Sequence, residues 1–241
     1  MKKFGYICLL QLFLFVSCFS ISLSLAGTIR DDFDSAKLNS DIWEITKAGK
    51  GKHSIADGQL LLESPAVADG VILYCKQVIT GDVKVECKMD STNVDPGTLG
   101  TIGFTDGIFD PEPSPAFWVH WLAHFNYSPT VSDLFVDDYP GNNLFPKAGN
   151  TISFDSGPHV WGFEISGNTM SYFFDEEDVG KSDNSGIPRY FHISPDTYTS
   201  HYLGTVAIDY IEISGANVKS MAVSSAGKMA SAWAAIKKGE R

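Results

Sequence analysis

The sequence predicts an all-β chain folded as an antiparallel β-sandwich. Three observations carry that prediction. Apolar residues recur at every second position along most of the chain, which is the period of a half-buried strand. Gly, Pro and Asn-rich joins cut this pattern into short segments. The length of 241 residues, with 44% hydrophobic and 20% charged residues, suits one large all-β domain with a full core and not a disordered chain.

The strands follow in order. Ile29 to Phe33 and Ile42 to Thr46 open the series. Asp57-Gly58 precedes Gln59-Leu60-Leu61-Leu62-Glu63, and Asp-Gly between extended segments marks a hairpin turn. Val71 to Val78 comes next. Val83-Lys84-Val85-Glu86-Cys87-Lys88-Met89 alternates apolar and charged without a slip. Further candidates are Thr101 to Phe104, Phe117 to Phe125, Leu134 to Tyr139, Val160 to Ser166, Met170 to Asp175, Tyr190 to Ile193 and Val206 to Ser214. Asp95-Pro96-Gly97, the Pro111 to Pro115 stretch, Tyr139-Pro140-Gly141 and Ser166-Gly167-Asn168 punctuate them.

The two ends differ from this body. Lys2-Lys3, an apolar run from Phe4 to Leu25 and the small residue Ala26 describe a secretory signal peptide, cut after Ala26. Retention as an anchor, or lipoprotein processing before Cys18, are the other readings. No second apolar stretch of spanning length follows. The expected organisation is a signal over 1–26, one domain over 27–215 and a tail over 216–241. The tail is rich in Ala, Ser and Lys, and reads as a short docked helix around Trp233 or as a disordered end.

Charge sets the class of partner. The chain carries 18 Lys+Arg against 29 Asp+Glu. Loss of residues 1–26 removes Lys2 and Lys3 and no acid, moving the net charge from -11 to -13. Such a surface cannot displace counterions from nucleic-acid phosphates. It is equally unsuited to an anionic membrane surface. Cys75 and Cys87 remain in a chain bound for an oxidising compartment. Both are six residues from Gly81, so a hairpin at Thr80-Gly81-Asp82 would set them opposite each other as a disulfide; two free, buried thiols are the alternative.

Three segments carry a family resemblance. Thr80 to Cys87, with its Gly-Asp strand opening, is one. His159 to Thr169, with its Gly-Asn turn, Tyr172 and Asp175, is the second, and Ala207 to Ile213 is the third. Together with Asp31-Asp32-Phe33-Asp34 and Asp41-Ile42-Trp43 they resemble concanavalin A-like lectin/glucanase domains, over about Thr28 to Ser214. The resemblance implies a jelly roll of two curved antiparallel sheets with a concave face that often holds sugar. Lectin-like binders, laminin G-like adhesion domains, glycoside hydrolases and lyases all use it, so function must come from the site.

The glucanase branch carries a Glu-x-Asp-x-Glu or Glu-x-Asp-x-x-Glu strand whose acids work as a pair on one face. That run is missing here, as is the Arg-x-Glu type strand of the lyases. Asp137 and Asp138 are adjacent on a strand and point to opposite faces. Asp175 to Asp178 reads as a solvated turn, and Glu164 as a surface residue. His120 and His124 have the spacing of a helical zinc site, but on a strand they lie about 13 Å apart, too far to share an ion.

The best binding segment is Phe117 to Phe125. Alternation gives Trp118, His120, His124 and Asn126 to one face, with Asp133, Asp137 and Tyr139 from the next strand. A flat indole beside imidazole, amide and carboxylate groups suits a sugar. The bland reading packs Trp118 under a loop. No cofactor is required; a structural calcium is the one ion the resemblance implies, with Asp32, Asp34 and Asp209 as ligands. The expectation is therefore a secreted, periplasmic or cell-surface bacterial module that binds a glycan or mediates adhesion without catalysis. The alternative is a diverged glycoside hydrolase or polysaccharide lyase using acids such as Asp133 and Asp137, and a third class is a purely structural cell-surface domain.

Overall fold

The computed structural model describes residues 27–66, 69–94, 101–105, 107–108, 121–124, 132–138, 142–145, 152–154, 157–183, 190–195 and 204–220. Sixteen strands run through them: β1 Gly27–Asp31, β2 Trp43–Ala48, β3 Lys52–Ala56, β4 Gln59–Ser64, β5 Gly70–Cys75, β6 Val83–Val94, β7 Thr101–Thr105 and β8 Trp121–His124. They continue with β9 Ser132–Asp138, β10 Asn142–Phe145, β11 Ile152–Phe154, β12 Pro158–Ser166, β13 Thr169–Phe174, β14 Glu177–Asp183, β15 Tyr190–Ser194 and β16 Gly204–Gly215. The described residues contain no helix, and every pairing is antiparallel.

An eight-stranded sheet has the order β14-β13-β12-β6-β16-β4-β3, with β1 also on β16. A smaller sheet runs β2-β5-β15-β7. Strands β8, β10 and β11 each pair with β9, and β8 lies beside β7. This is the antiparallel jelly-roll sandwich that the sequence predicts. First and last strands are neighbours, Arg30 opposite Glu212.

Alternation explains the core. In β6, Val83, Val85, Cys87 and Met89 are buried, while Lys84, Glu86 and Lys88 face outward. Trp161, Phe163 and Ile165 of β12 and Met170, Tyr172 and Phe174 of β13 extend the same inner face. The smaller sheet answers with Trp43, Val71, Leu73, Cys75, Phe104, Phe191 and Ile193. Phe163 meets Phe104 edge-on at 5.9 Å between centroids, and Phe191 at 6.5 Å, an aromatic cluster joining the two layers.

Turn chemistry fits locally. Ala56 pairs with Gln59 across Asp57-Gly58, whose φ values of 53° and 75° are those of a type I′ turn. Ser166 pairs with Thr169 across Gly167-Asn168, with Gly167 at φ 57°. Asp175 and Glu176, at φ 48° and 70°, join β13 to β14. Here two side chains occupy left-handed positions that glycine usually takes.

The disulfide expectation is corrected. Thr80-Gly81-Asp82 does not turn a hairpin; the chain crosses there from one sheet to the other. Cys75 pairs with Trp43 in the smaller sheet, whereas Cys87 pairs with Trp161 and Ile211 in the larger. Both cysteines are free and buried. Burial pushes the Cys75 thiol up to about 11, and the fully enclosed Cys87 thiol higher still.

The body's contacts run past Gly215. Val218 is buried in the core, and the Thr28 amide donates to Ser220 Oγ at 3.2 Å.

Candidate functional site

The smaller sheet has a second face, turned away from the core cluster, where polar side chains sit beside Ile72. Glu44 pairs with Tyr74, Tyr74 with His192, and His192 with Gly103. A single row of carboxylate, phenol, imidazole and glycine thus crosses β2, β5, β15 and β7. Tyr74 and His192 rings stand 6.0 Å apart between centroids. Both are buried although they do not belong to the core cluster between the sheets. Thr46 and Ser194 flank the row, and the Ser194 hydroxyl donates to the Val71 carbonyl. Sequence reading missed this row. A signal existed: Val71-Ile72-Leu73-Tyr74 is apolar without alternation, which marks a strand covered on both faces.

Strands β8 and β9 belong to a separate sheet, with β8 lying beside β7. There Asp137 is in register with Leu122 and Asn143, Asp133 with Ser153, and His124 with Phe135. Asp133 and Asp137 lie four residues apart on β9. Trp118, His120, Asn126 and Tyr139 lie outside the described residues.

The calcium candidates sit elsewhere, on the outer face of the larger sheet. Asp32 accepts from Arg30 at 2.8 Å. Asp209 takes the extra position of a β-bulge between Ile208 and Tyr210 and accepts from Lys88 at 2.8 Å. Asp34 stands near the Asp57-Gly58 turn. Among the described residues no group of three His, Cys, Asp or Glu side chains is arranged to hold a metal.

The described part of the outer face also holds a groove of about 300 Å³ lined by Lys84, Glu86, Val160, Gly162, Glu164, Phe173 and Glu176. Lys84 donates to Glu86 at 2.8 Å, and that bond raises the lysine's pKa, helped by the charges of Glu164 and Glu212. At the groove's end Asp175 is clamped. Its Oδ1 accepts from the Val160 amide at 2.9 Å, and its Oδ2 lies 2.7 Å from His159 Nδ1.

The arrangement is that of a concanavalin A-like jelly roll. Solved structures agree on the fold. LamA from Z. galactanivorans, in complex with laminaritriose and laminaritetraose, aligns with a TM-score of 0.54 at 16% identity, covering 78% of this chain and 98% of that one. The catalytic domain of an endo-1,3-β-glucanase (laminarinase) from Thermotoga petrophila aligns at 0.53 and 9% identity, covering 79% and 97%. The carbohydrate recognition domain of Emp47p aligns at 0.56 and 12% identity, covering 78% and 94%. No protein-family model and no curated protein matches the chain. The expectation of a non-catalytic binding or adhesion module is corrected here, because endo-glucanases predominate among the matched structures. Among the described residues no helix is long and apolar enough to cross a membrane.

Proposed function

We propose that the protein is a glycoside hydrolase acting within polysaccharide chains, with its reaction centre on β9 beside the smaller sheet. The placement of β9 carries the reading. That strand puts Asp133 and Asp137 four residues apart, next to a sheet whose outer face is already polar. This is the spacing of the first and last acids in the Glu-x-Asp-x-Glu strand, with Phe135 at the central position. One aspartic acid would protonate the departing glycosidic oxygen while the other carboxylate acts from the opposite side of the ring. Glu44, only half-buried, would meet the chain further along. The kinship of fold with laminarinases supports the class. Export through residues 1–26 would put the enzyme where polymers are met.

The test is reducing-sugar release from a panel of laminarin, lichenan and mucin-type glycans, with Asp133→Asn and Asp137→Asn as controls. Release by the native chain and its loss in both variants is expected. Absence of release across the panel, or full activity in both variants, overturns the reading.

A further inference from the structure

We propose that the groove on the outer face of the larger sheet is a second sugar-binding site, one that holds a neutral pyranose unit of a polysaccharide away from the reaction face. It does not rest on the hydrolase reading.

Gly162 lies in the middle of the groove's lining. It faces outward in β12, opposite Glu86 on one side and Phe173 on the other. Any side chain there would intrude, since a Cβ would lie 3.0 Å from the Phe173 Cβ. The glycine makes room for Phe173, whose ring lies against the β12 backbone beside the groove. The groove's size, about 300 Å³, falls at the lower end of small-ligand sites.

The lining is mixed in the way a sugar requires. Phe173 is half-buried and offers an apolar surface on the solvent side. Carboxylates accept hydrogen bonds only, so Glu86, Glu164 and Glu176 call for donors, which hydroxyls supply. Lys84 donates in return. An anion is disfavoured, because one ammonium faces three carboxylates. Glu176 is set at the rim in a strained conformation, φ 70°, on a turn fixed by the Asp175 clamp. A glycine would fit that turn more easily, so the glutamate is not there for backbone geometry.

Affinity electrophoresis of the whole chain, in native gels cast with laminarin and separately with lichenan, tests the proposal. Two variants keep the fold. Glu176→Gly relieves the strained φ and melts no lower than the native protein; Phe173→Leu keeps apolar bulk over Gly162. Retardation of the native protein in at least one gel is expected, at least tenfold weaker in each variant, with hydrolysis of laminaritetraose unchanged in both. Native mobility unaffected in both gels overturns the proposal, as do variants retarded like the native protein. Release of the protein by glucosamine at concentrations where glucose has no effect also overturns it, since the groove would then select a cation. Absence of hydrolysis by the native chain with retardation intact removes the enzyme reading and leaves this site standing.

Discussion

Asp31 Oδ2 accepts a 2.8 Å hydrogen bond from the indole Nε1 of Trp43, inside the sandwich. Its other oxygen accepts from the Phe33 amide at 2.9 Å, holding Phe33 at φ 51°. One carboxylate therefore satisfies the buried indole and fixes the bend by which β1 leaves the sheet. Removing it strands a buried donor. Asp31→Ala should cost about 2–3 kcal/mol, and Asp31→Asn less, because an amide oxygen still accepts one bond. Urea unfolding followed by tryptophan fluorescence reads both. Equal stability of all three proteins would show that the two bonds contribute nothing net.

His53 gives the protein an acid-side sensitivity. Its Nδ1 is enclosed and finds no hydrogen-bond partner among the described residues. Burial, with the Lys47 charge behind it, lowers its pKa. The folded state thus takes up this proton less readily than the unfolded chain. Above the unfolded value near 6.5 both states are neutral at His53 and nothing is lost. As pH falls below it, the unfolded state gains the proton first and stability declines. His53→Gln should flatten that part of the profile between about pH 7 and 5. Melting temperatures of the two proteins across that range make the comparison. A parallel decline in both would assign the sensitivity to other groups.

Cys75 and Cys87 should resist alkylation until the chain unfolds. The thiolate is the reactive form, and burial raises both pKa values, Cys75 to about 11. Iodoacetamide at pH 8 should leave both peptides unmodified in the native protein and label both in urea without reductant. A disulfide-linked Cys75–Cys87 peptide would contradict the assignment of the two cysteines to different sheets.

The cysteine pair also marks where the sequence stops being legible. Asp57-Gly58 and Thr80-Gly81-Asp82 look alike, each a turn signal between alternating segments. The first is a hairpin and the second a crossing between sheets. Alternation shows that a strand has one apolar face. It does not say which sheet supplies the partner, because both sheets bury the same kind of face. Strand periodicity made most of the strands readable. The bulge at Asp209 was not, since one inserted residue leaves both flanking runs alternating. The polar row of the smaller sheet was hidden for a related reason. Tyr74 and His192 sit in runs buried on both faces, where period two vanishes.

Val218 carries the packing of the body past β16. The sequence suggests a boundary at 215, yet Val218 is 6% exposed, and its Cγ2 would stand 3.4 Å from a Cβ placed on Gly215. Gln77 donates to the Asn217 carbonyl, and Asn217 to the Thr80 carbonyl, fastening the segment to the crossing between sheets. Val218→Ala should cost about 1–3 kcal/mol by leaving a small void in the core. Truncation after Ser220 should cost less than truncation after Gly215. Thermal unfolding of the two truncated chains decides it, and equal melting temperatures would place the body's end at β16.

The spacing of Asp133 and Asp137 makes a stereochemical prediction. Positions four apart on a strand are separated by about 13 Å along the backbone. Glutamates at such positions have the length to converge. Aspartates are one methylene shorter and would leave a wider gap. A gap of about 6.5–9.5 Å between carboxyl groups admits a water beside the anomeric carbon, which is the inverting geometry, whereas about 5 Å gives the covalent, retaining one. Hydrolysis should therefore invert the anomeric centre, and proton NMR of the first-formed reducing end reads this directly. Asp133→Asn and Asp137→Asn should each lower kcat by at least about 100-fold, the scale of removing a general acid or base, with melting temperatures unchanged. Retention of configuration would require a closer pair of acids than these two. A kcat loss confined to Glu44→Gln would move the chemistry to the other end of the polar row.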